Sequence, residues 1–124
     1  MQSHVYTIRF TFCNNRLYVT MDVLNALGRP DHIQVFISRD RKTLFIRSCN
    51  RGEDACFAVS PRVYTDPEYK CILRKAAFAE AICHVQHWDR RGRYRLYGVP
   101  VAEQVMAFSF VDAVRIDETS SEAL

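Results

Sequence analysis

The chain has 124 residues, 48% of them hydrophobic and 25% charged, with a net charge of +3. That balance excludes a disordered or fibrous class, because a chain of this size buries roughly two-thirds of its unfolded surface without help from disulfides or a metal. No run of about 18 apolar residues is present and the first residues lack the basic and long apolar segments of a signal peptide, so a cytoplasmic protein with no membrane partner is expected.

Between Val5 and Phe12, residues Tyr6, Ile8, Phe10 and Phe12 alternate with Val5, Thr7, Arg9 and Thr11, the period of a strand with one buried face. Asn14-Asn15 is a turn signal, and Arg16 to Val19 reads as a second strand of a hairpin. Thr20 is placed to cap a short helix over Met21 to Leu27 with Val23, Leu24 and Leu27 on one side; Gly28 and Pro30 end it. A second hairpin follows: Ile33, Val35 and Ile37 in one strand, Leu44 and Ile46 in the other, around the charged tip Arg39-Asp40-Arg41-Lys42.

Asn50 to Cys56 is loop-like, and Phe57 to Val59 reads as a short strand before a stretch punctuated by Pro61 and Pro67. Residues 68 to 88 fit one long helix, or a strand at Lys70 to Leu73 followed by a helix from about Arg74 to Trp88. The second reading is preferred, with Phe78, Ile82 and Val85 on the helix's apolar side and Trp88 plugging the core at its end. Arg93 to Tyr97 and Gln104 to Phe110 form a last hairpin around a loop at Gly98 to Glu103.

At an offset of 54, the segment Arg16 to Gly28 aligns with Lys70 to Ile82, Val19 falling on Leu73 and Leu24 on Phe78, and each segment precedes a hairpin. The expected fold is therefore α+β, a mainly antiparallel sheet with two short-to-medium helices and a pseudo-two-fold repeat of strand, helix and hairpin. A single domain is expected over residues 1–116, with half-repeats at about 5–49 and 57–116 and a polar acidic tail at 117–124. Val19, Leu24, Leu27, Leu73, Phe78 and Ile82 are its expected core contacts, since helices this short hold only by docking an apolar face.

Leu17 to Gly28 with the hairpin Ile33 to Arg47 resembles the swapped-hairpin DNA-binding module of AbrB-type transition-state regulators, over about a quarter of the chain. Thr20-Met21 stands here where that family usually has a proline. Leu24 to Gly28, Ile33 to Ile37, Phe78 to Ile82 with Trp88-Asp89, Arg93 to Gly98 and Met106 to Phe110 are similar to pieces of small proteins of bacterial mobile elements, chiefly of Firmicutes; this likeness covers most of the chain and implies no activity. Two such repeats in one chain also resemble, in fold alone, the saddle of TATA-binding proteins.

The charge is unevenly spread. From Asp112 onward four acids outnumber Arg115 by three, so the first 111 residues carry +6. Fourteen of the 17 basic residues are arginine, whose planar fork suits phosphate or carboxylate recognition. Exposed arginines also keep a β-rich domain soluble and blunt its strand edges. Arg93 and Arg95, two apart, share a strand face opposite Tyr94, where like charges repel unless acids or a bound anion compensate. Tyr94 and Tyr97 beside them are candidates to stack on bases. Arg90 and Arg91 follow the expected helix, whose C-terminus favours cations.

Five cysteines, an odd number with no Cys-x-x-Cys pair, argue against a disulfide framework and a zinc ribbon and are expected to be reduced, mostly buried thiols. Cys83 with His87, or Glu80 with His84 and His87, share a helical face, yet no metal is expected because zinc needs three well-placed ligands and a supporting shell. Four glycines leave no room for the phosphate-cradling motifs. Cys83 and Ser60, the nucleophile candidates with His84 and His87 available, read better as packed or surface groups, so no catalytic residue, cofactor or enzymatic activity is expected. The expectation is a small nucleic-acid-binding or regulatory protein, DNA being the first partner considered, with Arg39, Arg41, Lys42, Arg90, Arg91, Arg93 and Arg95 as the contact surface. The rival is a protein-interaction or homo-oligomeric module pairing through strand edges and apolar surface. One observation separates them: whether the basic residues share a face.

Overall fold

The structure, a computed structural model, describes residues 5–11, 15–74, 82, 88 and 92–116. In chain order these form β1 (Tyr6–Thr11), β2 (Arg16–Val19), α1 (Met21–Ala26), β3 (His32–Ile37), β4 (Thr43–Ser48), β5 (Cys56–Ala58), α2 (Arg62–Thr65), β6 (Cys71–Arg74), β7 (Arg93–Ala102), β8 (Val105–Ser109) and β9 (Val114–Arg115). The strands lie side by side as β5-β3-β4-β8-β7-β1-β2-β6, with β9 added to β7, and each recorded pairing is antiparallel. The result is an α+β fold, a nearly closed barrel-like antiparallel sheet with two short helices.

Period-two patterning decides what the sheet encloses. Ile8 and Phe10 of β1, Leu17 and Val19 of β2, Ile33 and Val35 of β3, Leu44 and Ile46 of β4, Leu96 of β7 and Met106 and Phe108 of β8 form one buried cluster. Each such side chain contributes about 1.5–3 kcal/mol when withdrawn from water. α1 is too short to persist on propensity, and Val23, Leu24 and its C-terminal Leu27 are all buried in that cluster. Gly28, at φ +86°, supplies the left-handed turn that stops it. Of the six aligned apolar positions Val19, Leu24, Leu27, Leu73 and Ile82 are buried; Phe78 lies outside the described residues.

Several local expectations are corrected. Thr20 makes no side-chain cap on α1; its hydroxyl donates instead to the Thr7 carbonyl of β1 at 2.9 Å, tying the helix entrance to the sheet. The expected loop at Gly98 to Glu103 is mostly strand, because β7 runs on to Ala102 and turns only at Glu103-Gln104. Gly98 and Pro100 look like breakers in sequence. Here Gly98 lies opposite Phe108 with its hydrogen in place of a side chain, and Pro100 lies opposite Met106 where the β7–β8 register shifts, a place where a strand tolerates proline. The turn α2 and the strand β9 were not read from the sequence, while the preferred strand at 70–73 is present as β6. The helix expected from Arg74 to Trp88 falls largely outside the described residues, although Arg74 itself ends β6.

The thiol reading is overturned at two positions. Cys49, just after β4, and Cys56, opening β5, form a disulfide with Cα atoms 6.7 Å apart, within the range a bridge can span. β4 and β5 flank β3 on opposite sides, so the connecting loop must arch over the end of β3, and that arch brings together two cysteines seven apart in sequence. Cys71 is a free, buried thiol; Cys13 and Cys83 lie outside the described residues. Iodoacetamide added to the native, unreduced protein is expected to spare Cys49 and Cys56 and to label both after reduction; labelling of either beforehand contradicts the bridge.

Candidate nucleic-acid interface

The strands that bury Ile8, Leu17 and Leu96 must turn their alternate residues outward, and in four neighbouring strands five of those residues are arginines. The registers align them. Arg16 faces Arg74 on one side and Thr11 on the other, and Thr11 faces Arg93, so one row across β6, β2, β1 and β7 reads Arg74, Arg16, Thr11, Arg93. The adjacent row reads Ile72, Tyr18, Arg9, Arg95. With strands about 4.8 Å apart, the five arginines fall within about 15 Å along the row direction. None of these four strands contains an aspartate or glutamate.

Like charges meet directly on this face. Arg9 and Arg95 are directly opposed across a strand pair, an arrangement that destabilises by roughly 0.2–1 kcal/mol. The Arg9 guanidinium lies over the Tyr18 ring at 4.6 Å, and no carboxylate among the described residues pairs with Arg9 or Arg95. The Nε of Arg16 is buried without a hydrogen-bond partner, a group whose desolvation costs about 1–3 kcal/mol or more if nothing accepts from it. A row of anionic oxygens on the face would relieve the Arg9–Arg95 repulsion.

Arg93 and Arg95 therefore share a face as expected, and the structure adds Arg9, Arg16 and Arg74, which the sequence reading missed. Their signal was present: each is an arginine at an outward position of a period-two strand, but only the register reveals that the strands are neighbours. Tyr94 is corrected. It points inward, is buried, and stacks on Trp88 at 4.1 Å, so it cannot serve as a base platform; Trp88 in turn meets Phe110 edge-on at 5.8 Å. Tyr97 remains on the outer face, opposite Thr7.

The tip Arg39, Arg41, Lys42 stands apart from these rows. The Phe110 N–H donates to the Lys42 carbonyl at 2.9 Å, which fixes the tip beside the end of β8, and the corner from Phe110 to Ala113 leads into β9 next to Arg95. The tip thus lies toward the same end of the sheet as Arg93 and Arg95 without joining them. Asp40 shapes the turn: its carboxylate accepts from the Ser38 hydroxyl at 2.6 Å and the Lys42 N–H at 3.0 Å, and the Ser38 bond, then the Lys42 N–H, hold it below its ordinary range. Arg90 and Arg91 lie outside the described residues, as do Glu80, Cys83, His84 and His87; no group of three metal-binding side chains occurs among the described residues. No helix is long and apolar enough to cross a membrane, again among the described residues.

Behind the face lie two groups with raised pKa. Burial pushes the Cys71 thiol up to about 11, so it stays protonated at neutral pH and is a packing group rather than a nucleophile. Burial likewise pushes Tyr64 up to about 12, its hydroxyl donating to the Pro30 carbonyl at 2.6 Å. Both hold their protons more tightly folded than unfolded, so the stability they contribute is complete below the unfolded values of 9.0 and 10.0 and is lost as pH rises through 11 and 12. Thermal melts from pH 8 to 12 are expected to show a fall beginning near pH 9, and Cys71→Ala should flatten its first part.

A scan against protein-family models finds no match to this chain, and neither a search of curated proteins nor one of solved structures finds one.

Proposed function

We propose that this chain is a nucleic-acid-binding protein that holds a phosphate backbone on the outer face of β6, β2, β1 and β7. The observation that carries the reading is the pair of adjacent rows, Arg74-Arg16-Thr11-Arg93 and Tyr18-Arg9-Arg95, on a face without an acidic residue in its strands. Its mechanism is phosphate neutralisation by guanidinium forks, with the tip Arg39, Arg41, Lys42 as a further basic contact toward the same end of the sheet and Arg90 and Arg91, outside the described residues, as further candidates. DNA is the first partner to test. In the setting implied by the resemblance to mobile-element proteins, such a chain acts as a regulator of the element. Fluorescence anisotropy with a mixed-sequence DNA is expected to show binding at 50 mM salt that weakens steeply by 200 mM. No binding at 50 mM salt contradicts the reading.

We infer as well that the fold is a duplicated strand, helix and hairpin about a pseudo-two-fold axis. In support, β2 and β6 pair with each other, and Tyr18 faces Ile72, 54 residues on, the same offset that aligns the two segments in sequence. Likewise β4 pairs β8, the β3–β4 hairpin answers β7–β8, and the pairing of β3 with β5 answers that of β7 with β1.

A second reading rests on the other half of the same outer face. Phe36 and Phe45 stack there at 5.1 Å, and the row continues through Ala107 to Val99, with Phe36 41% and Val99 56% exposed. Such a surface suits a protein partner or a second copy of the chain. Sedimentation equilibrium separates the cases: a dimer dispersed by Phe36→Ser supports association through this half, and a monomer at all concentrations removes self-association.

A further inference from the structure

Where the arginine face meets the β6 end of the sheet, the surface dips into a cavity of about 280 Å³. Its walls combine two chemistries. Arg9, Arg95 and Lys70 are cationic, while Tyr18, Tyr69 and Met21 are flat or apolar. Both rings are held from one side by a guanidinium, Tyr18 by Arg9 at 4.6 Å and Tyr69 by Arg62 at 4.5 Å. Tyr69 is 37% exposed although large, and it sits between Pro67 and Lys70, whose ammonium donates to the Pro67 carbonyl at 3.3 Å. Among the described lining residues none is acidic, and Cys71 stays a neutral thiol.

We propose that this cavity takes one unstacked nucleobase of a single-stranded nucleic acid whose phosphates lie along the arginine rows; the inference rests on the nucleic-acid reading of that face. The volume lies just below the range that encloses a whole drug-sized ligand, so it suits a single planar base. A cation-lined mouth with tyrosine walls matches the sequence-tolerant recognition of single strands, in which bases stack on aromatic rings and guanidiniums bind the backbone. A duplex keeps its bases stacked and paired, and so presents only phosphates to the same arginines. The face alone would bind either form; the cavity discriminates between them.

The test compares three labelled probes by anisotropy at 50 and 200 mM salt: a 12-nucleotide oligothymidine, an abasic 12-mer with the same phosphates, and a duplex of equal length. The oligothymidine is expected to bind about tenfold more tightly than the abasic strand or the duplex, the effect of stacking one base. Tyr69→Ala is expected to bring oligothymidine down to the abasic value with its salt dependence unchanged, and Tyr69→Phe, which keeps the ring, to stay within twofold of the parent. Equal binding of the three probes, or a Tyr69→Ala protein that binds oligothymidine like the parent, overturns the cavity's role and leaves the arginine face standing. Absence of binding to all three at 50 mM salt overturns both.

Discussion

Replacing Phe108 by alanine is expected to cost about 3–5 kcal/mol, enough to consume much of the stability of a domain of this size. Phe108 is 0% exposed and among the largest fully buried side chains; on β8 it lies between Leu44 of β4 and Gly98 of β7. Its removal leaves a void that those two strands cannot close without breaking their ladders. The same spot is intolerant from the other side. A Cβ at Gly98 would collide with the Phe108 ring and stand 2.5 Å from the backbone oxygen of Ala107, which no rotamer change relieves. Gly98→Ala is therefore expected to destabilise by about 3 kcal/mol or more, as overpacking does when backbone must move. Urea denaturation checks both, with Val99→Ala, one residue along and 56% exposed, expected within about 0.5 kcal/mol of the parent.

Replacing Arg9 and Arg95 together by glutamine is expected to move binding and stability in opposite directions. Each guanidinium–phosphate contact is worth about 1.5–3 kcal/mol, so losing both should weaken DNA binding by more than about 100-fold at low salt. The slope of log affinity against log salt should fall by about two contacts, near 1.8. Without nucleic acid, however, the directly opposed charges of Arg9 and Arg95 are gone, and the free protein should be more stable by up to about 1 kcal/mol. A purely structural pair would lose stability and leave the salt dependence alone. Anisotropy titrations at several salt concentrations, paired with urea melts of the free protein, distinguish the two outcomes.

Strand faces are legible in this sequence because alternation is a local property: Ile8 and Phe10 against Arg9, Leu44 and Ile46 against Phe45. The pairing of distant strands is not local. Nothing in residues 5–19 says that β1 lies beside β7, and without that neighbour Arg9 looks like an ordinary exposed residue rather than one opposed to Arg95. Gly98 and Pro100 mislead for a related reason, since their usual meaning as chain breakers yields to a tertiary packing requirement at one and a register shift between strands at the other. The bridge between Cys49 and Cys56 depends on the loop crossing over β3, which spacing alone does not encode. Charge density was readable; charge convergence required the registers.

The order in which the strands lie has a consequence for the birth of the chain. β1 is flanked by β2 and β7, β4 by β3 and β8, and β2 by β6, so both hairpins of the first half wait for partners made much later. During synthesis at about 5–20 residues per second, the open edges of β1 and β4 stay unsatisfied for several seconds until β7 and β8 leave the ribosome. Non-local pairing of this kind places folding in the slower, millisecond-to-second regime. Over that interval Arg9, Arg16, Arg39, Arg41 and Arg47, spaced along the nascent first half, keep like chains apart by mutual repulsion. The tip arginines, and Arg9 and Arg16, which later join the arginine face, thus first serve the unfolded chain as protection against pairing with its neighbours.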